Sequence, residues 1–168
     1  MKNIVLTGFM ATGKSTVGVL LAKKLGRKFI DTDSLIVERE KRSISEIFEK
    51  DGEKYFRAVE KQIIACVSEL SDTVIATGGG AVLDKENIKM LRKNSIIVNL
   101  YASAKTIYER TIQNTTRPLL NEKSFSDIEQ MIDKRKEFYE NNDFEIQIDE
   151  LSPLAIVEKI IATYKTIL

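Results

Sequence analysis

The chain has 168 residues, 43% of them apolar and 30% charged, with a net charge of +1. That composition predicts one soluble globular domain spanning residues 1–168, large enough for a central sheet covered on both faces. It carries no global basic footprint for nucleic acid, and with no histidine in the chain imidazole bases and imidazole metal ligands are excluded. The single cysteine, Cys66, excludes an intramolecular disulfide and suits a reducing cytoplasm. There is no signal-peptide layout and no apolar run of membrane-spanning length, so a cytoplasmic protein is expected.

In chain order, the apolar run Ile4-Val5-Leu6 reads as a strand. It feeds Gly8-Phe9-Met10-Ala11-Thr12-Gly13-Lys14-Ser15, and a helical pattern over about 14–25 follows. Strand, glycine-bounded loop and helix together match the phosphate-binding template G-x-x-x-x-G-K-[ST]. Such a loop turns its backbone N–H groups toward a triphosphate, and the helix behind it points its positive end at the anion. Gly8, Ala11, Thr12, Gly13, Lys14, Ser15 and Thr16 are therefore the ATP-binding candidates. Lys14 reaches the β- and γ-phosphates and the Ser15 hydroxyl is placed for Mg²⁺.

Lys28-Phe29-Ile30-Asp31 reads as the second strand, and Asp31 and Asp33 leave its end. The plain alternative for Asp33 is an N-cap of the next helix. The functional reading is a pair of carboxylates beside the phosphate loop, suited to a metal shell and to accepting a hydroxyl proton. Residues 33–70 then form an all-helical insertion, with helices near 34–41, 44–50 and 52–70. On the last of these, Phe56, Val59, Ile63, Val67 and Leu70 make one apolar arc. Glu60 falls inside the arc, and Arg57, three residues earlier, can reach it. That pair is either a structural ion pair or a carboxylate holding Arg57 ready to grip an anion. Cys66 is expected in the core.

Thr73-Val74-Ile75-Ala76 reads as a strand buried on both faces, and Gly78-Gly79-Gly80 follows it. Three glycines remove every Cβ over about 10 Å of chain, which suits close approach of a ligand; a slack loop is the alternative. A helix over about 85–92, a strand at 95–100, a helix over about 103–113 and a helix over about 124–140 come next. The polar segment 112–124, with Arg117-Pro118, reads as an exposed lid. Arg135 lies in a mixed charge run whose bland reading is a wet helix face. A last strand at 144–148 and a helix over about 153–167, opened by Ser152 and Pro153, complete the chain. Strand–helix alternation of this kind argues for a parallel sheet in an α/β fold.

Taken together, these residues resemble the shikimate kinase family. The resemblance rests on Gly8 to Ser15, Asp31-Thr32-Asp33, Phe56-Arg57-Ala58-Val59-Glu60, Gly78-Gly79-Gly80, Arg117-Pro118-Leu119-Leu120, and Arg135 with Tyr139, in this order. It implies a three-layer P-loop kinase fold with five parallel strands in the order 2-3-1-4-5. It also implies a substrate-binding insertion over about 33–60, a lid over about 112–124, and transfer of the ATP γ-phosphoryl group to the 3-hydroxyl of shikimate.

The implied site residues follow from the same match. Lys14, Asp33 and Arg117 would serve catalysis, Arg117 reaching the phosphates from the lid. Ser15, and Asp31 through water, would hold Mg²⁺. Arg57 and Arg135 would clamp the shikimate carboxylate, with Glu60 orienting Arg57 and Gly78, Gly79 and Gly80 closing on the ligand. Phe48 and Phe56 would wall the pocket, supported by Ile44, while Arg110 and the segment at Pro153 would flank the adenine. The expected partners are ATP and shikimate, with no nucleic acid and no membrane, and a monomer is expected. The competing enzyme reading is a related kinase such as a gluconate kinase; the competing reading from another class is a nucleotide switch. Three positions depart from the family's pattern: Ala11 replaces a glycine that tolerates a methyl if φ is negative, Glu137 a frequent proline, and Leu151 a basic residue near the base.

Overall fold

The computed structural model describes residues 1–112 and 124–167. Five strands alternate with helices: β1 (Asn3–Thr7), α1 (Lys14–Leu25), β2 (Lys28–Asp31), α2 (Thr32–Glu40), α3 (Ile44–Ser68), β3 (Thr73–Ala76), α4 (Lys85–Arg92), β4 (Ser95–Tyr101), α5 (Ala104–Ile112), α6 (Phe125–Tyr139), β5 (Phe144–Gln147) and α7 (Pro153–Ile167). A short 3₁₀ turn, Ala81–Leu83, precedes α4. All strand pairs are parallel and the sheet order is β2-β3-β1-β4-β5. The expected class, strand number and order therefore hold.

The strand period of two sorts side chains into two cores. Ile4, Leu6, Ile96, Val98 and Leu100 face α1 and α7, packing on Val17, Leu21, Ile156, Val157 and Ile160. Val5, Ile75 and Ile97 face the other way, onto Ile47, Phe56, Ile64, Ile88, Leu91 and Ile128 of α3, α4 and α6. That gives three layers. Central strands β1 and β3 are buried along their whole length, as parallel strands covered on both faces must be.

Local signals account for most boundaries. Ser43 and Glu46 form a capping box that starts α3, and Ser124 and Asp127 form one that starts α6. The two helices expected over 44–70 run end to end within α3 and meet at Gly52, whose φ of +81° and ψ of 171° are non-helical. No heavy atom lies within 4 Å of a Cβ placed there, so the backbone rather than crowding demands the glycine. Two expectations fail. Cys66 is exposed, because the apolar arc of α3 is narrower than the periodicity suggested. Leu70 lies beyond the end of α3 and is 37% exposed. Among the described residues no helix is long and apolar enough to cross a membrane.

Candidate active site

The carboxyl ends of the strands gather the chemistry, as the topology of an open parallel sheet requires. The phosphate loop between β1 and α1 uses three left-handed or extended glycine-type conformations: Gly8 at φ +143°, Ala11 at +64° and Gly13 at +84°. A Cβ on Gly8 would collide with the Leu100 carbonyl of β4. Ala11 does not have the negative φ that a methyl prefers, so this position carries strain of about 1–2 kcal/mol. Thr12 is fully buried and donates its hydroxyl to Phe9 O at 2.8 Å, drawing the loop tight. Lys14 is 8% exposed, and its ammonium donates to Gly8 O at 2.8 Å and Phe9 O at 2.9 Å. The Ser15 hydroxyl donates to Asp31 Oδ2 at 2.5 Å. Thr16 is exposed on the first turn of α1.

Asp31, not Asp33, caps α2. Its Oδ1 accepts from the backbone of Asp33 at 3.0 Å and of Ser34 at 3.2 Å. The cap leaves the Asp33 side chain free of that duty. It points at the triple glycine, where a Cβ on Gly78 would stand 2.5 Å from Asp33 Oδ1 and 3.0 Å from Glu60 Oε1. The Gly78 N–H donates to Thr32 Oγ1 at 3.1 Å, fixing the turn from below.

Glu60 is 1% exposed. It accepts from Arg57 Nη1 at 2.7 Å, and Glu53 holds the other side of the same guanidinium at 3.2 Å. Burial raises the Glu60 pKa even against the opposing pull of Arg57. For Arg57, desolvation pulls its pKa down but the charges of Glu60 and Glu53 outweigh it, so the guanidinium stays charged. A Cβ on Gly80 would overlap the Arg57 guanidinium. Arg57 also lies 5.2 Å from the centre of the Phe56 ring, and Phe56 packs on Phe48 with ring centres 4.7 Å apart. Ile44 packs against the same cluster.

Gly79 sits beside the phosphate loop: a Cβ there would be 3.1 Å from Met10 N. Its carbonyl accepts from the Tyr139 hydroxyl. Burial pushes the Tyr139 pKa up to about 12, with Arg135 opposing. Arg135, one turn before Tyr139, lies 5.7 Å from the centre of the Phe9 ring. Arg110 of α5 donates to Ala11 O at 3.2 Å, over the phosphate loop.

The two chemistries are thus contiguous. The phosphate loop and a cluster of Asp33, Glu60, Arg57 and the Phe48–Phe56 ring pair meet at the triple-glycine turn, where Gly79 lies against Met10. The shikimate kinase family model matches residues 10–165. A shikimate kinase of Caldicellulosiruptor saccharolyticus is 52% identical over 98% of this chain and 96% of its own. One of Thermodesulfovibrio yellowstonii is 48% identical over the same shares. Among solved structures, shikimate kinase from Acinetobacter baumannii in complex with shikimate superposes with TM-score 0.93 at 33% identity, covering 99% of this chain and 94% of that one.

The chain belongs to the shikimate kinase family.

It is accordingly an ATP-dependent kinase that acts on a hydroxyl group. Of the site residues read from the sequence, the structure brings Lys14, Ser15 and Asp31 together at the loop, and Asp33, Arg57, Glu60 and Gly78–Gly80 together beside it. Arg110 and Arg135 reach the rim through α5 and α6. Pro153 opens α7 and is exposed. Arg117 and the Pro118-Leu119-Leu120 run lie outside the described residues. Glu137 is exposed within the unbroken helix α6, and Leu151 packs on the apolar cluster of α1 and α7.

Sequence reasoning missed Phe9 as the ring under Arg135, Thr32 as the anchor of Gly78, and Glu53 as the second carboxylate on Arg57. Glu53 had a usable signal, its i,i+4 spacing to Arg57. Phe9 and Thr32 had none, because their partners, Arg135 on α6 and Gly78 in the turn after β3, lie far away along the chain.

Proposed function

We propose that this kinase transfers the γ-phosphoryl group of ATP to the 3-hydroxyl of shikimate, with Asp33 as proton acceptor. The observation that carries the reading is the triple-glycine turn. It is pressed on one side by Asp33, Glu60 and Arg57 and on the other by the backbone of the phosphate loop at Met10. An acceptor held there lies next to the phosphate cradle, so the two reactants are positioned for in-line attack. For phosphoryl transfer that positioning and charge neutralisation supply most of the rate.

In this reading the amides of Gly8 to Gly13 and the Lys14 ammonium hold the β- and γ-phosphates. Lys14 exchanges its carbonyl partners Gly8 and Phe9 for phosphate oxygens. Arg57 and Arg135 take the shikimate carboxylate, and Glu60 and Glu53 hold the Arg57 fork in one orientation. Phe48 and Phe56 cover the apolar side of the ring. Asp33 accepts the hydroxyl proton as the oxygen–phosphorus bond forms and the bond to ADP breaks. Arg110 and the Pro153 segment flank the base, and Arg117 neutralises charge on the transferring group. The convergence of the Ser15 hydroxyl and the Asp31 carboxylate is a hard oxygen donor set that suits Mg²⁺. Bound there, Mg²⁺ would offset phosphate charge. ATP and shikimate are both charged small molecules, and in this reading the protein acts on them in the cytoplasm as a monomer.

The test is an ADP-release assay with shikimate and with gluconate, and phosphorus NMR of the product. Turnover on shikimate alone, with the phosphate on the 3-hydroxyl, is expected. Turnover on gluconate, or ADP release indifferent to shikimate, would overturn the substrate assignment. Asp33→Asn is expected to lower kcat by about 10²–10⁴ while ATP still binds.

A further inference from the structure

The turn between β5 and α7 carries a carboxylate that the reaction itself does not use. Asp149 accepts from the Ser103 N–H at 3.1 Å, the Ser103 hydroxyl at 2.8 Å, the Thr106 hydroxyl at 2.5 Å and the Gln147 amide at 3.2 Å. Burial raises its pKa, but the hydrogen bonds from Thr106 and Ser103 outweigh it, and the group is held down to about 2. It is ionised throughout the neutral range.

Each end of this clasp leads toward one of the two segments read as flanking the base. Ser103 precedes α5, and its hydroxyl accepts from Thr106 N at 3.2 Å. Ser103, Thr106 and Arg110 follow i, i+3, i+7 spacing and so share one face of the helix. Arg110 then reaches Ala11 O at 3.2 Å. On the other side, Asp149 sits in a tight turn. Ile148 N donates to Tyr101 O at 2.9 Å, Leu151 N to Ile148 O at 3.2 Å, and Glu150 takes φ +60°. Ser152 then accepts from Ala155 N at 3.2 Å, and Pro153 begins α7.

We propose that Asp149 is a positioning residue for the nucleotide base: by tying the first turn of α5 to the turn before α7, it fixes the separation of the Arg110 and Pro153 walls of the base slot. The inference rests on the reading that those two walls flank the adenine. Its consequence is selective. Loosening the clasp widens the slot without touching the acceptor pocket, whose residues lie on α2, α3, α6 and the triple-glycine turn.

The experiment compares Asp149→Ala, Thr106→Val and Arg110→Ala by steady-state kinetics, with thermal unfolding measured on each. Asp149→Ala is expected to raise the KM for ATP about tenfold, and Thr106→Val, which removes one arm at constant shape, about threefold. The KM for shikimate and kcat should stay within about twofold, and preference for ATP over GTP should fall. In an Arg110→Ala background the same Asp149→Ala change should add less than about twofold, since both act through one wall. An ATP KM unchanged in Asp149→Ala and Thr106→Val, while Arg110→Ala raises it, overturns the clasp alone. An ATP KM unchanged in Arg110→Ala overturns the base-slot reading and the clasp with it. If Asp149→Ala does not fold, Thr106→Val decides. A rise in both KM values together with a lowered Tm also overturns the proposal, because a merely structural role would do that.

Discussion

Replacing Arg57 with alanine isolates a buried charge. Glu60 is 1% exposed and its ion pair with Arg57 is 2.7 Å long. Burial already lifts the Glu60 pKa above 4.5, with Asp33 and Asp84 adding to the rise, and Arg57 is the chief influence opposing it. Removing the guanidinium lets the pKa climb further. Breaking a buried pair costs about 3–5 kcal/mol. Arg57 is 28% exposed, so water enters part of its space and the lower end is expected.

The sign follows from proton counting. A carboxyl whose folded pKa exceeds its unfolded value binds more protons in the native state. Stability therefore falls as pH rises from the unfolded value through the folded one, at up to about 1.4 kcal/mol per pH unit, and levels off above it. Urea unfolding from about pH 5 to about pH 8 should show the Arg57→Ala deficit largest at the alkaline end and shrinking toward acid. Adding Glu60→Gln should flatten that dependence. A deficit equal at both ends, or one that Glu60→Gln leaves sloped, would refute the stranded carboxylate as the cause.

Two glycine substitutions should separate the two halves of the acceptor pocket. Gly80→Ala has an ordinary φ of −101°, so its effect comes from displacing Arg57; the KM for shikimate should rise about tenfold with the KM for ATP unchanged. Gly78→Ala pushes instead on Asp33 and Glu60 and should lower kcat, at least tenfold. Identical kinetic profiles for the two variants would contradict this division. Ala11→Gly removes the strain of φ +64° but adds freedom to the unfolded chain, so urea unfolding should register a net gain of about 0–1 kcal/mol. A loss greater than about 1 kcal/mol would show that the methyl makes contacts that outweigh the strain.

Much of the site was legible because its signals are local. Gly8 to Ser15 is a loop whose spacing follows from wrapping backbone amides around a phosphate, with the strand before it and the helix after it serving as confirmation. Glu60 stood out as a carboxylate on an apolar helix face, and Arg57, one turn away, was the partner in reach. The parallel sheet followed from strand–helix alternation, and its order from the family resemblance.

Other features depended on neighbours far apart in the chain. Periodicity placed Cys66 on the apolar arc, yet only the packing of α3 set how wide that arc is. Ala11 could be named as an unusual residue, but its positive φ follows from Lys14 and Thr12 drawing the loop shut. The sequence left Asp33 as either a helix cap or a functional carboxylate; the structure gives the cap to Asp31, and with β2 lying beside β3 the Asp33 carboxylate faces Gly78. The gap left by Gly80 read as room for a ligand, and the structure fills it with the guanidinium of Arg57, contributed 23 positions earlier in the numbering. By itself, then, the sequence determined the elements, the phosphate loop and the types of group at each strand end, because backbone preference and periodicity act over a few residues. Only tertiary structure decided which of those groups touch, because parallel crossovers join strand ends separated by dozens of residues, and no local pattern records that distance.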